Sequence, residues 1–78
     1  MPTRRNPYPA WVLARRTQLG DHLAAARRAR RMSQDDLADA VGMERRSIQR
    51  YERGERDPRF SDLVLIARAL DVPLRDLV

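Results

Sequence analysis

Residues 33–54 read SQDDLADAVGMERRSIQRYERG, and their pattern carries most of the information about the fold. Ser33 is a residue type that caps helix N-termini, and Asp36 three residues later completes a capping-box signature. Apolar residues follow at helical spacing as far as Gly42, the residue type that most often ends a helix. A second short helix is predicted over about residues 45–53. Two short helices joined by such a turn form a helix-turn-helix.

The second helix of this pair has two faces of opposite character. At about 100° per residue, Ile48 and Tyr51 point to one side, which we assign to the core. The opposite arc holds four arginines and one glutamine and no acidic residue: Arg45, Arg46, Gln49, Arg50 and Arg53. Arg pairs bidentately with guanine and Gln with adenine, so these are the side chains that a helix in the DNA major groove needs. A solvated basic face is the plainer alternative.

Helical spacing also dominates outside this stretch, which predicts an all-α protein. Residues 10–30 lack proline and predict either one long helix or two helices that meet near Gly20. A further helix is predicted over about residues 60–70, and Pro73 separates it from a last turn near the C-terminus. The core face of that helix is predicted to hold Phe60, Leu63, Ile66, Ala67 and Leu70.

Composition excludes several classes of site. The 78 residues suffice for one small domain, and they include no cysteine and a single histidine, His22. Disulfides, thiolate metal sites and His/Cys zinc sites are thereby excluded, and the serines have no nearby histidine base. We therefore expect no enzyme activity, no catalytic residue, no metal and no cofactor. No apolar run approaches the roughly 18 residues of a membrane span, and the N-terminus lacks a signal-peptide pattern, so a cytoplasmic protein is expected, associated with the nucleoid when bound to DNA.

Charge is unevenly distributed along the chain. The net charge is +5, and all sixteen basic residues are arginine. Residues 1–31 carry +7 and residues 45–59 carry +3, whereas residues 32–44 carry −4. Arginine matches phosphates and guanine edges better than lysine does, and a basic balance in a small domain indicates a nucleic-acid partner.

Residues 19–78 resemble the Cro/C1-type helix-turn-helix domain of the XRE family of transcriptional regulators. The resemblance rests on an ordered set of residues: Leu23, Arg27, Ser33, Gln34, Leu37, Ala38, Gly42, Ile48, Glu52, Gly54, Pro58, Leu63, Ala67, Leu70, Val72 and Leu77. It implies a compact four- to five-helix lambda-repressor-like bundle that binds double-stranded operator DNA, commonly as a homodimer. Residues 1–18 lie outside it and are predicted to form an N-terminal arm and a helical extension. Glu44 departs from the family's usual Ser or Thr cap, and Arg31 replaces a frequent glycine, which predicts a left-handed backbone there.

The resemblance also implies roles for individual residues. Base reading falls to residues on the outward face of the second helix: Arg45, Arg46 and Arg50, with Gln49 as a weaker candidate. Phosphate contacts are assigned to Ser33, Gln34, Ser47 and Arg53. A structural, buried ion pair is implied for Arg27 and Glu52. Two arginines of the N-terminal segment, Arg4 and Arg5, are candidates for an arm in the minor groove.

These observations predict a sequence-specific DNA-binding regulator, a repressor that occludes its operator. The alternative is an antitoxin-like or cofactor-like interaction module that uses the same fold to bind another protein. Surplus apolar residues near the C-terminus would serve such a partner or a homodimer: Val64, Leu65, Leu74 and Val78. No membrane partner is expected. Trp11 is predicted to pack on the bundle, with a dimer contact as the alternative.

Overall fold

The computed structural model describes residues 8–78, which fold into four helices. These are α1 (Ala10–Ala29), α2 (Gln34–Val41), α3 (Arg45–Glu52) and α4 (Phe60–Leu70), and a 3-10 turn follows at Leu74–Asp76. The described part of the chain contains no strand, so the all-α prediction is confirmed.

Of the two alternatives for residues 10–30, the single long helix is confirmed, because α1 runs through Gly20 without a break. Gly20 is buried where α1 passes the end of α3. A Cβ atom at this position would lie against the carbonyl oxygen of Tyr51 and 2.7 Å from the carbonyl oxygen of Glu52. The glycine is therefore required by the close approach of two backbones and does not interrupt the helix.

The core lies between the four helices and the C-terminal turn. Its largest fully buried side chains come from the four helices and from the residue that follows the C-terminal turn: Leu23, Leu37, Ile48, Ile66, Leu70 and Leu77. Burying each such side chain contributes about 1.5–3 kcal/mol relative to leaving it exposed. Leu37, which brings α2 into this core, is the residue whose truncation to alanine would most directly detach the first helix of the helix-turn-helix, at a cost of about 2–5 kcal/mol.

Two aromatic residues lie outside this core, contrary to the predictions. Trp11 is 72% exposed and Phe60 is 70% exposed. Phe60 is the first residue of α4, and because helical side chains lean towards the N-terminus, we attribute its exposure to this position at the end of the helix. Trp11 is in the first turn of α1, a helix of 20 residues that is longer than the elements it packs against.

Polar contacts from Arg16 and His22 connect α1 to the rest of the bundle. Arg16 donates from Nε to the carbonyl oxygen of Gly54 at 2.8 Å, and its Nη1 lies 3.9 Å from Asp57. Nδ1 of His22 lies 3.0 Å from the carbonyl oxygen of Leu77. These contacts fix the helix against the loop after α3 and against the C-terminus.

Helix ends follow the residue types found there. Ser33 and Asp36 form the predicted capping box, in which the Asp36 N–H donates to Ser33 Oγ and the Ser33 N–H donates to Asp36 Oδ2, both at 2.9 Å. Hydrogen bonding to Ser33, first to its backbone N–H and then to its side chain, lowers the pKa of the Asp36 carboxyl below its ordinary value. Gly42 ends α2 in the left-handed conformation, and Arg31 has the predicted positive φ of 56°. Glu44 precedes α3 without a side-chain cap, as its residue type predicts.

From residue 8 to residue 78, no helix combines the length and the apolarity that crossing a bilayer requires.

Candidate nucleic-acid interface

The two faces of α3 are separated as the sequence predicts. Ile48 and Tyr51 are buried, and Ile48 is fully inaccessible to solvent. Four arginines are exposed on the other side: Arg45, Arg46, Arg50 and Arg53. Gln49 and Ser47 are half-buried beside them. The candidate base-reading residues thus share one solvent-facing surface, which we call the α3 outward face (Arg45, Arg46, Gln49, Arg50 and Arg53).

Beneath this face, Arg27 of α1 holds Glu52 of α3 in a bidentate ion pair. Arg27 Nε donates to Glu52 Oε2 at 2.7 Å, and Nη2 donates to Oε1 at 3.0 Å. Nη1 donates to the carbonyl oxygen of Met32 at 2.8 Å. The side chains are 10% and 6% exposed, so the pair implied by the family resemblance is buried. Hydrogen bonding to Glu52 raises the pKa of Arg27 above its usual range, and the opposing effect of burial is smaller.

Gln34, the first residue of α2, joins the same carboxylate. Its Nε2 donates to Glu52 Oε1 at 3.0 Å. One carboxylate of α3 therefore contacts α1 and α2 together, which fixes the angle between the two helices of the helix-turn-helix. The side-chain amide is turned inward by this bond, whereas the backbone N–H groups of Gln34 and Asp35, at the start of α2, have no partner within the helix.

Two clefts flank α3. One, of about 440 Å³, lies between α1 and the ends of α2 and α3 and is lined by Asp21, Ala24, Arg28, Gln34, Glu52 and Arg53. The other, of about 380 Å³, lies towards α4 and is lined by Met43, Glu44, Ser47, Tyr51, Arg56, Asp57, Arg59 and Asp62. The predicted phosphate residues divide between them, with Gln34 and Arg53 in the first cleft and Ser47 in the second. Ser33 lies exposed at the start of α2.

Three further arginines belong to these clefts and were missed by the sequence analysis. Arg28 lines the first cleft, and Arg56 and Arg59 line the second. The signal that could have found them is the excess of arginine in residues 1–31 and 45–59. That charge count identifies basic segments, but it does not show which arginines face α3.

The arginines of the outward face differ in their ionic partners. Arg45 Nε lies 3.6 Å from Asp35 Oδ1, and Arg53 Nη1 lies 3.8 Å from Glu55 Oε1. Within the described residues, Arg46 and Arg50 form no ion pair, so both guanidinium groups face solvent uncompensated. Arg4 and Arg5 lie outside the described residues. Residues 8–78 contain no cluster of three His, Cys, Asp or Glu side chains that could hold a metal ion.

Comparison with known proteins places this geometry in a family. The helix-turn-helix family HTH_3 matches residues 23–77. The chain is 42% identical over 52 residues to y4dL, an uncharacterized HTH-type transcriptional regulator of Sinorhizobium fredii, with 67% of this chain and 26% of y4dL covered. It is 35% identical over 60 residues to RstR, the cryptic phage CTXphi transcriptional repressor of Vibrio cholerae, with 77% of this chain and 54% of RstR covered. The chain thus spans between about a quarter and a half of the length of these relatives.

Solved structures agree with the sequence comparison. The restriction-modification controller protein C.AhdI of Aeromonas hydrophila superposes with a TM-score of 0.80 at 32% identity, covering 83% of this chain and 98% of the controller protein. An HTH_3 family transcriptional regulator of Vibrio cholerae superposes with a TM-score of 0.77 at 26% identity, covering 83% of this chain and 36% of that protein. The chain belongs to the HTH_3 family, the Cro/C1-type (XRE) helix-turn-helix regulators that its sequence resembles.

Proposed function

We propose that this protein is a sequence-specific, double-stranded DNA-binding transcriptional repressor that acts by occluding its operator. The observation that carries this proposal is the α3 outward face, where Arg46 and Arg50 lie one helical turn apart without an ionic partner among the described residues. A helix with such a face fits the major groove, which is about 12 Å wide, and each arginine can pair with the O6 and N7 atoms of a guanine.

The two clefts beside α3 support this orientation. With α3 in the major groove, the phosphate strands that border the groove run past its two sides. Arg28 and Arg53 offer cations to one strand, and Arg56 and Arg59 offer cations to the other. Phosphate contacts of this kind set the register of the protein on the duplex, and the base contacts of α3 then supply the sequence preference.

A homodimer fits the exposed surface of α4. Its solvent-facing arc carries large apolar side chains, with Phe60 70%, Val64 43% and Leu65 49% exposed. A second copy related by a two-fold axis would cover this arc and present two copies of α3 to half-sites about 34 Å apart. Repression agrees with the similarity to RstR, which is itself a transcriptional repressor.

Binding to duplex DNA at several salt concentrations tests the proposal. If about six phosphates are neutralised, affinity for a selected site falls by about a thousandfold between 50 and 200 mM salt. The competitor is random duplex of equal length, against which an operator is expected to bind at least about a thousandfold more tightly. Affinity that does not depend on salt, or equal affinity for every duplex, would contradict the proposal and favour a protein-binding module.

A further inference from the structure

One ion pair links the two helices of the helix-turn-helix on their solvent side. Asp35 is in the first turn of α2 and Arg45 is the first residue of α3, and Arg45 Nε lies 3.6 Å from Asp35 Oδ1. The Asp35 side chain is 69% exposed and the Arg45 side chain is 57% exposed. An exposed pair of this length adds little to the stability of a fold, so it can be altered without unfolding the protein.

Asp35 is the only described residue that contacts the guanidinium of Arg45. Their closest approach is at Nε, on the inner edge of the guanidinium, and no other described residue forms a hydrogen bond or ion pair with Arg45. Those two groups are the ones that meet O6 and N7 when an arginine approaches guanine end-on. A carboxylate whose closest approach is to Nε therefore biases the orientation of the guanidinium, and no other described residue competes with a base for its two Nη groups.

We propose that Asp35 is a specificity-determining positioning residue, which holds Arg45 with its fork directed at a base edge. This inference rests on the proposed DNA-binding function. In water the pair is weak, but inside a groove from which water is excluded the same charges interact more strongly. The Asp35 carboxylate also repels DNA phosphates, so it disfavours complexes in which Arg45 turns to the backbone.

Asp39 provides a matched control for this proposal. It lies one helical turn after Asp35 on α2, is exposed, and forms no ion pair within residues 8–78. Asp35→Asn and Asp39→Asn therefore remove the same charge from the same helix, and only the first removes the partner of Arg45. Thermal melting of both variants verifies that the fold is retained.

The experiment selects bound fragments from a random duplex library with five proteins: the wild type, Asp35→Asn, Asp39→Asn, Arg45→Ala, and the double variant Asp35→Asn with Arg45→Ala. Both Asn variants are expected to bind random duplex more tightly, since each loses a negative charge near phosphates. Only Asp35→Asn is expected to lower sequence preference, by about three- to tenfold at one symmetric pair of positions, as loss of part of a bidentate contact implies. In the Arg45→Ala background, Asp35→Asn is expected to leave the remaining preference unchanged.

The NMR signal of the Arg45 Nε–H group supplies a readout that needs no DNA. We expect it to shift in Asp35→Asn and to stay in place in Asp39→Asn. The inference is overturned if this signal is unchanged, if both Asn variants have equal preference, or if Asp35→Asn acts equally without Arg45. A wild type that selects no sequence overturns the proposed function itself, whereas a selective wild type with indifferent Asp35→Asn overturns the role of Asp35 alone.

Discussion

Replacing Arg27 by methionine is expected to destabilise the fold severely. The change removes the bonds of 2.7 and 3.0 Å to Glu52 and the bond of 2.8 Å to the Met32 carbonyl oxygen. The Glu52 carboxylate, 6% exposed, would then keep only the bond from Gln34, which carries no charge. Removing one partner of a buried pair costs about 3–5 kcal/mol, because the other charge is left uncompensated. For a chain of this length, the whole free energy of unfolding is about 4–12 kcal/mol.

Urea denaturation at neutral pH measures the effect, and the neighbouring Arg28 offers the matched control. Arg28→Met makes the same change of charge on the same helix at an exposed position, and it is expected to stay within about 0.5 kcal/mol of the wild type. A double variant, Arg27→Met with Glu52→Leu, removes both charges and is expected to recover at least half of the loss. Equal stability of the Arg27→Met and Arg28→Met variants would refute the reasoning, as would a double variant no more stable than Arg27→Met alone.

Further outcomes are expected for the cap of α2, for the DNA-contacting residues and for the dimer surface. Ser33→Ala should lower the free energy of unfolding by about 1 kcal/mol through loss of the cap. Hydrogen bonding to Ser33 lowers the pKa of Asp36 in the folded state, so the stability that this carboxylate contributes is present above its unfolded pKa and is lost as the pH falls through its folded pKa. Asp36→Asn should therefore flatten the dependence of stability on pH below about pH 4. Arg50→Ala should reduce the preference for one base, at one symmetric pair of operator positions, by about 1–3 kcal/mol, whereas Gln34→Ala should weaken binding to operator and to random duplex alike. A competition assay across single-base operator variants measures both effects, and equal weakening of all sites by Arg50→Ala would contradict the assignment. Leu65→Glu should raise the dimer dissociation constant measured by sedimentation, and a constant equal to that of the wild type would place the dimer contact elsewhere.

Local sequence signals were sufficient to predict the ends of α2 and the two faces of α3. Ser33 with Asp36 and Gly42 predict the helix bounds because capping and left-handed termination depend on residues adjacent in the chain. Ile48 and Tyr51 predict the buried side of α3 because periodicity alone separates two faces of a helix. The same reasoning fails for Phe60 and Trp11, because periodicity does not show where the partner elements of a helix end.

Contacts between helices were harder to predict. The bond from Gln34 to Glu52 and the pair of Arg45 with Asp35 depend on the angle between α2 and α3, which no local pattern encodes. The pairing of Arg27 with Glu52 was available only through the family resemblance. Whether the helix breaks at Gly20 was left open, because composition alone cannot distinguish a weak helix position from a site where two backbones meet.

The buried and the outward side chains of α3 are different residues, and this separation affects how the protein can evolve. Ile48, Tyr51 and Glu52 connect the helix to the rest of the molecule, and none of them belongs to the outward face. Substitutions on the exposed side usually alter stability by less than about 0.5 kcal/mol. The outward side chains can therefore be exchanged, by descent or by grafting from a relative, with little risk to folding, so a duplicated copy of this gene can acquire a different target while keeping the same scaffold.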